Sequence, residues 1–174
     1  MREETLRTAM LLGTDAVARL EKARVAVFGV GGVGGYTVEA LARAGVGSID
    51  VIDNDCISLS NINRQAVALH STVGRPKAEV MAQRVLDINP NCQVEAIRMF
   101  YLPENADQVD FSQYDYVVDA VDTVTAKIEI ILQAQRAGTP VISSMGAGNK
   151  MDPSNPASVE TAKKAYDALT ADQK

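Results

Sequence analysis

Apolar residues recur along the chain in two alternating patterns, short continuous runs and helical spacings. The run at residues 24–28 predicts a buried strand, and shorter apolar stretches predict further strands at residues 48–53, 93–99, 116–120 and 140–144. The spacings predict helices at residues 14–22, 32–44, 76–88 and 123–137. In the second of these helices the apolar residues that share a face are Val33, Tyr36, Ala40 and Ala44. Because strands and helices alternate, the pattern predicts an α/β fold: a doubly wound, mainly parallel sheet with helices on both faces.

The alternation ends before the last part of the chain. Residues 1–153 are expected to form one domain, and residues 154–174 a divergent helical tail. The tail opens with Asn155-Pro156, a typical helix start, and then places on one helical face the apolar residues Val159, Ala162, Tyr166 and Leu169. This pattern predicts an amphipathic helix, packed on the domain or extending from it, with no catalytic or binding role.

Composition and charge are those of an ordinary soluble globular protein. Of 174 residues, 47% are apolar and 22% are charged. The net charge of −5 gives no overall positive field that would draw the protein to nucleic acid. The apolar runs fall short of the roughly 18 residues of a membrane helix, so no membrane partner is expected. Cys56 and Cys92 form no CxxC pair, which predicts no zinc knuckle and favours a reduced, cytoplasmic protein.

A glycine loop lies between the first predicted strand and the next helix. Gly29, Gly31, Gly32 and Gly34 lack Cβ atoms, so phosphate oxygens can approach the backbone N–H groups. The N-terminus of the following helix adds partial positive charge. The loop predicts phosphate binding, with an unliganded strand-to-helix turn as the alternative.

Acidic residues follow the second and fourth predicted strands, whose carboxyl ends meet at the ligand-binding edge of a parallel sheet. Asp53 stands where a Rossmann-like fold places an acid on the ribose hydroxyls of a nucleotide. Asp55 is a candidate magnesium ligand, or else a solvated loop acid. Asp122 is expected at the same edge, where it could contact a ligand and cap the next helix.

Two cations distinguish ATP cleavage from dinucleotide binding. A nicotinamide enzyme keeps its pyrophosphate intact and needs no extra cations there. Splitting ATP at the α-phosphate builds charge on the departing pyrophosphate, which Arg64 and Lys77 could stabilise. Lys77 falls in the first turn of a predicted helix, where the helix dipole disfavours a cation unless an anionic ligand is present. An ordinary surface lysine is the alternative.

Together these residues resemble the adenylating enzymes of the ThiF, MoeB and ubiquitin-activating type. The resemblance covers residues 5–153 and is carried by the glycine loop, Asp53, Asp55, Ser60-Asn61, Arg64-Gln65, Lys77 and Asp122. Within the family, residues 73–81, Ile88-Asn89-Pro90 and Gly146-Ala147-Gly148 look most like the branch that dehydrates threonylcarbamoyladenosine in tRNA. That branch lacks the zinc site of many relatives.

The resemblance implies ATP and Mg²⁺ as cofactors, no zinc, and tRNA as the substrate. A carboxylate on adenosine 37 of tRNA would be activated as an acyl-adenylate and would then cyclise, expelling AMP. The implied nucleotide-binding residues are Gly29, Gly31, Gly32, Gly34, Asp53, Asp55, Asn61, Arg64, Gln65, Lys77 and Asp122. Asp122 would lie near magnesium or the reacting phosphate. The implied catalytic residues are Arg64, Lys77, Asp122 and Arg7, the last reaching the partner's ATP across a homodimer interface.

The sequence departs from the family after about residue 154, where relatives continue into an acceptor-binding half. One alternative is adenylation of the C-terminus of a ubiquitin-like sulfur-carrier protein, with that carrier or a protein of the cysteine desulfurase system as partner. Another is a nucleotide-binding remnant without catalysis. A third, an NAD-dependent oxidoreductase, is disfavoured by Arg64 and Lys77.

Overall fold

A computed structural model describes residues 3–144, which form a five-stranded parallel sheet flanked by helices. The strands are β1 (Arg24–Phe28), β2 (Ser48–Ile52), β3 (Gln93–Ile97), β4 (Tyr116–Asp119) and β5 (Val141–Ser143). Their order across the sheet is β3-β2-β1-β4-β5, and all neighbouring pairs run parallel. The chain therefore winds outward from β1 in one direction, then crosses over and continues from β4 in the other. The predicted fold class is confirmed.

Five α-helices lie within residues 3–144: α1 (Leu6–Leu12), α2 (Thr14–Leu20), α3 (Gly34–Ala44), α4 (Lys77–Ile88) and α5 (Val124–Ala137). Short 3-10 helices lie at Glu3–Thr5, Leu59–Asn61, Pro103–Gln108 and Phe111–Gln113. The helices and strands predicted within residues 3–144 are all present, with ends that differ by at most two residues. Helix α1 escaped prediction because its apolar residues do not form a buried stripe: Met10 and Leu11 are more than 80% exposed.

The two faces of the sheet bury separate cores. Val25 and Val27 of β1 point to one face, where α3 and α4 supply Val38 and Met81. Because side chains alternate along a strand, the intervening Ala26 and Phe28 point to the other face. That second core contains α5 and an aromatic group in which Phe28 contacts Tyr101 edge-on and stacks on Phe111. Burial on both faces fixes the strand register, and with it the positions of the strand ends.

The buried face of α3 differs from the face suggested by its apolar residues. Val33 and Tyr36 are 50% and 56% exposed, whereas the helix turns Gly34, Val38 and Ala42 toward the sheet. The buried face predicted from the apolar spacing is wrong, because the buried glycine contributes no hydrophobic side chain to the pattern. Small residues at this face allow α3 to lie close against the sheet.

An ion-pair network joins α3 to α4, the two helices that follow the glycine loop and the long connection. Glu39 accepts hydrogen bonds from Arg84 at 2.7 Å and from Arg43 at 2.8 Å. The Arg84 hydrogen bond, followed by that of Arg43, holds the pKa of Glu39 below its ordinary value of 4.5. A carboxyl whose folded pKa is lowered stabilises the fold above its unfolded pKa, and this contribution disappears as the pH falls through the folded value.

Replacing Glu39 with glutamine should therefore destabilise the protein only where the carboxylate is ionised. We expect Glu39→Gln to lose about 1 kcal/mol of unfolding free energy near neutral pH, the upper end for such pairs. Urea unfolding of both proteins, at neutral pH and again well below the ordinary glutamate pKa, measures the difference. An equal loss at both pH values would show that packing, and not charge, accounts for it.

Within the described part of the chain, no helix combines the length and apolar character needed to cross a membrane. The predicted tail, its boundary at residue 153 and the Gly146-Ala147-Gly148 motif lie outside residues 3–144.

Candidate functional site

The glycine loop turns the chain from β1 into α3 at the carboxyl edge of the sheet. Gly29 adopts a positive φ of 85°, and a Cβ there would lie 2.7 Å from the Ala120 carbonyl oxygen. A Cβ on Gly34 would overlap the carbonyl oxygen of Gly29. Both positions need glycine for steric reasons, because the turn is pressed between α3 and the end of β4. The Gly35 N–H donates to the Gly31 carbonyl at 3.2 Å, so α3 begins directly from this turn.

Asp53 ties the end of β2 to the loop. One carboxylate oxygen accepts the Val30 N–H at 2.7 Å, and the other accepts the Asp55 N–H at 2.8 Å. Gly29 in turn donates its N–H to the Ile52 carbonyl at 2.8 Å. The acid predicted for a ribose is thus fixed beside the glycine loop, where the remaining lone pairs of its oxygens can accept hydroxyl donors.

Backbone pairing joins the two ends of the long connection between β2 and α4. Cys56 and Pro76 form an antiparallel bridge, and the Lys77 N–H donates to the Asp55 carbonyl at 2.9 Å. The Ile57 N–H donates to the Arg75 carbonyl at the same distance. This pairing brings the start of α4 to the end of β2, although more than twenty residues separate them along the chain.

Asn61 shapes the part of this connection that reaches the glycine loop. Its side-chain oxygen accepts the Ser58 N–H at 3.0 Å, and its carbonyl accepts the N–H groups of Arg64 and Gln65. The resulting turn buries the Gln65 side chain and leaves that of Arg64 exposed. Asn61 thereby acts on the loop through the backbone of the two residues that follow it.

Arg64 and Gln65 lie against the loop glycines. The Arg64 Cγ is 3.6 Å from where a Cβ on Gly32 would stand, and the Gln65 side-chain nitrogen is 3.9 Å from that position on Gly31. Arg64 also donates from Nη1 to the Ser60 carbonyl and the Asn63 side chain, both at 3.0 Å. The aliphatic part of Arg64 and the Gln65 amide therefore border the loop, while the Arg64 guanidinium is turned toward Ser60 and Asn63.

Lys77 is not the surface lysine considered as an alternative, since only 6% of it is exposed. Its Nζ lies 2.8 Å from Asp55 Oδ2, and the Asp55 side chain is 59% exposed. The carboxylate offsets the unfavourable position of an ammonium group at a helix N-terminus. Asp55, expected as a magnesium ligand or a solvated acid, is thus first of all the partner of Lys77.

Asp122 is exposed just beyond the end of β4. The expectation that it caps α5 is wrong, because the helix begins at Val124 and its N-cap residue is Thr123. With the capping role removed, its carboxylate stays available at the ligand-binding edge. Arg7 stands exposed on α1, outside the group that these contacts gather at the loop.

Sequence reasoning missed a buried pair beneath this edge. Asp119 is fully buried, and Lys127 of α5 places its Nζ 2.9 Å from Asp119 Oδ2. The signal was present in the sequence: an acid at a strand end and a lysine on the first turns of the next helix.

The strand order, glycine turn and Asp53 define a nucleotide-binding protein of the Rossmann-like class. The chain belongs to the ThiF family, whose model matches residues 5–171. It is 47% identical to the tRNA threonylcarbamoyladenosine dehydratase of Bacillus subtilis over 84% of its length and 58% of that protein's. To the Escherichia coli dehydratase it is 42% identical over 94% of its length and 61% of that protein's.

The fold agrees with a solved structure. The Escherichia coli tRNA N6-threonylcarbamoyladenosine dehydratase TcdA, in complex with ATP, superposes with a TM-score of 0.83 at 42% identity, covering 87% of this chain and 63% of that one. The chain spans about three-fifths of the length of these relatives.

Proposed function

We propose that the protein adenylates a carboxylate at the expense of ATP. The observation that carries the proposal is the buried Lys77 ammonium, which pairs with Asp55. The Asp55 N–H binds the same Asp53 carboxylate that accepts the Val30 N–H of the glycine loop, and Arg64 lies against Gly32 of that loop. A site that only stored an intact dinucleotide would gain nothing from two cations there. The solved complex of the Escherichia coli relative with ATP supports the choice of nucleotide.

The proposed step is a displacement at the α-phosphate. A carboxylate oxygen bonds to the α-phosphorus, the bond from that phosphorus to the bridging oxygen breaks, and pyrophosphate leaves with the electron pair. Charge on the leaving group rises during the step, so cations near it stabilise the transition state more than bound ATP. Lys77 and Arg64 would perform this role, while Asp53 orients the ribose and the glycine loop the phosphates.

The residues present fit a magnesium ion bound with the nucleotide. Magnesium prefers oxygen ligands and is usually held by one or two carboxylates together with substrate phosphates. Asp122 is exposed at the correct edge and is the residue that would hold it. When bound, the ion would neutralise negative charge on the phosphate groups.

The acceptor that we propose is the threonylcarbamoyl group on adenosine 37 of tRNA, because the similar proteins from Bacillus subtilis and Escherichia coli are dehydratases of that nucleoside. After adenylation, attack within the same group would close a ring and release AMP. Cys56 and Cys92 form no disulfide in the described part of the chain, and we propose a reducing, cytoplasmic setting.

The acceptor is tested by incubating the chain with ATP, Mg²⁺ and tRNA that carries the modified nucleoside, then analysing the nucleosides by mass spectrometry. We expect loss of one water from threonylcarbamoyladenosine, and none when ATP is omitted. A parallel reaction with a sulfur-carrier protein ending in a free carboxylate checks the alternative. Adenylation of the carrier with unchanged tRNA would overturn the assignment of the acceptor.

We further propose that the active unit is a homodimer in which Arg7 of one subunit serves the site of the other. The exposed apolar residues Met10 and Leu11 of α1, together with Val33 and Tyr36 at the start of α3, support this, because so much exposed apolar surface is typical of an interface. In this arrangement each site combines Lys77 of one subunit with Arg7 of its partner.

A mixing experiment tests that arrangement. Arg7→Ala and Lys77→Ala are each expected to be inactive alone, since every site in either homodimer lacks one residue. After co-refolding, half of the dimers are mixed and each has one intact site, so about one quarter of wild-type activity should return. Mixtures that stay inactive although mixed dimers form would contradict the sharing of Arg7.

A further inference from the structure

The carboxylate of Asp119 is the centre of a buried polar cluster between β4 and β5. Its Oδ1 accepts the Val121 N–H at 3.1 Å, which shapes the turn that follows β4. Its Oδ2 accepts the Ser143 hydroxyl at 2.5 Å and the Lys127 ammonium at 2.9 Å. One fully buried side chain thus connects the turn, the neighbouring strand and the helix α5.

Lys127 completes the cluster from α5. It is 6% exposed, and its Nζ donates to the Ser144 carbonyl at 2.6 Å as well as to Asp119. The Ser143 hydroxyl lies 3.5 Å from the same ammonium. Both charges are therefore paired and hydrogen-bonded, as buried charges must be to avoid a large desolvation penalty.

The turn that this cluster fixes lies directly against the phosphate loop. The Ala120 carbonyl is the atom that a Cβ on Gly29 would strike, and the Ala120 methyl group lies 3.2 Å from that position on Gly34. Two residues further along the turn is Asp122, exposed at the ligand-binding edge. A shift of Asp119 would therefore displace Asp122 relative to the glycine loop.

We infer that Asp119 and Lys127 are positioning residues, which hold Asp122 in register with the phosphate loop so that it can serve ATP and Mg²⁺. The inference rests on the proposed ATP site and adds to it a pair that touches no substrate. A purely structural pair would only join β4, β5 and α5. The two roles differ in whether the effect of removing the pair depends on Asp122.

A double-mutant cycle separates them, with the dissociation constant of ATP measured calorimetrically in the presence and absence of Mg²⁺. The paired variant Asp119→Ala/Lys127→Met removes both charges and leaves neither one buried alone. We expect it to melt cooperatively and to bind ATP with Mg²⁺ on the order of tenfold more weakly. Adding Asp122→Asn to the paired variant should weaken ATP binding only a little further, because coupled residues do not contribute additively to the binding free energy. Arg136→Met, an exposed change on the same helix, is the control and should leave binding unchanged.

Several results would overturn the inference. The pair has only a structural role if the paired variant binds ATP as tightly as the wild type. The same conclusion follows if its loss of ATP affinity simply adds to the loss caused by Asp122→Asn. If the paired variant does not melt cooperatively, the same cycle with Ser143→Ala, which removes one donor to Asp119, is judged by the same criteria. Wild-type protein that binds no ATP would instead reject the proposed function, and this inference with it.

Discussion

Replacing Lys77 with alanine should reduce ATP–pyrophosphate exchange by about 10²–10³-fold, the usual loss for a group that stabilises transition-state charge. The reason is that the buried Lys77 ammonium stabilises the departing pyrophosphate in the proposed mechanism. The fold should survive, because alanine suits the first turn of α4 and the exposed Asp55 carboxylate can be solvated once its partner is gone. The measurement is exchange of labelled pyrophosphate into ATP, with thermal melting on the same samples.

Lys22→Ala provides the matched control. Lys22 is exposed next to α2, so its loss should change neither the exchange rate nor the melting temperature. Exchange by Lys77→Ala at the wild-type rate would refute the role given to Lys77. A loss of exchange accompanied by unfolding would assign Lys77 to stability instead.

A second large effect is expected from Gly34→Ala. The added methyl group would overlap the Gly29 carbonyl oxygen, and backbone on both sides of the contact would have to move. Overpacking of this kind costs about 1–3 kcal/mol of unfolding free energy, and here the displaced atoms belong to the phosphate loop itself. We therefore expect destabilisation in urea together with loss of measurable ATP binding.

Gly31→Ala separates the steric argument from a general intolerance of the loop to substitution. A Cβ there would meet only the Gln65 side chain, at 3.9 Å, which is an ordinary contact. Its unfolding free energy should stay near that of the wild type, whatever it does to phosphate binding. Equal destabilisation by the two substitutions would show that the overlap with Gly29 is not the cause.

The parts of the fold that follow from local pattern could be predicted from the sequence. The continuous apolar run marked β1 because both faces of the sheet are covered at its centre, and Gly45 ended α3 with a positive φ of 92° as expected for a helix C-cap. The glycine loop and Asp53 were also predictable, since their places follow from the ends of β1 and β2.

Contacts between distant segments could not be predicted in the same way. The pairing of Lys77 with Asp55 depends on the bridge that closes the long connection, and the pairing of Lys127 with Asp119 depends on how α5 lies over β4. Helix α1 was missed for a related reason: its exposed apolar residues show no buried stripe within one chain. The sequence identifies the charged residues of these pairs, whereas only the tertiary structure shows which residues pair with each other.

In the proposed function, the glycine loop acts with Arg64 and Lys77 to cleave ATP at the α-phosphate. The most direct test is ATP–pyrophosphate exchange by the wild-type chain, with and without tRNA carrying threonylcarbamoyladenosine. We predict exchange that requires both Mg²⁺ and the modified tRNA. Tight binding of ATP without exchange, in the presence of the modified tRNA or of a sulfur-carrier protein, would contradict the claim and leave a nucleotide-binding module without catalysis.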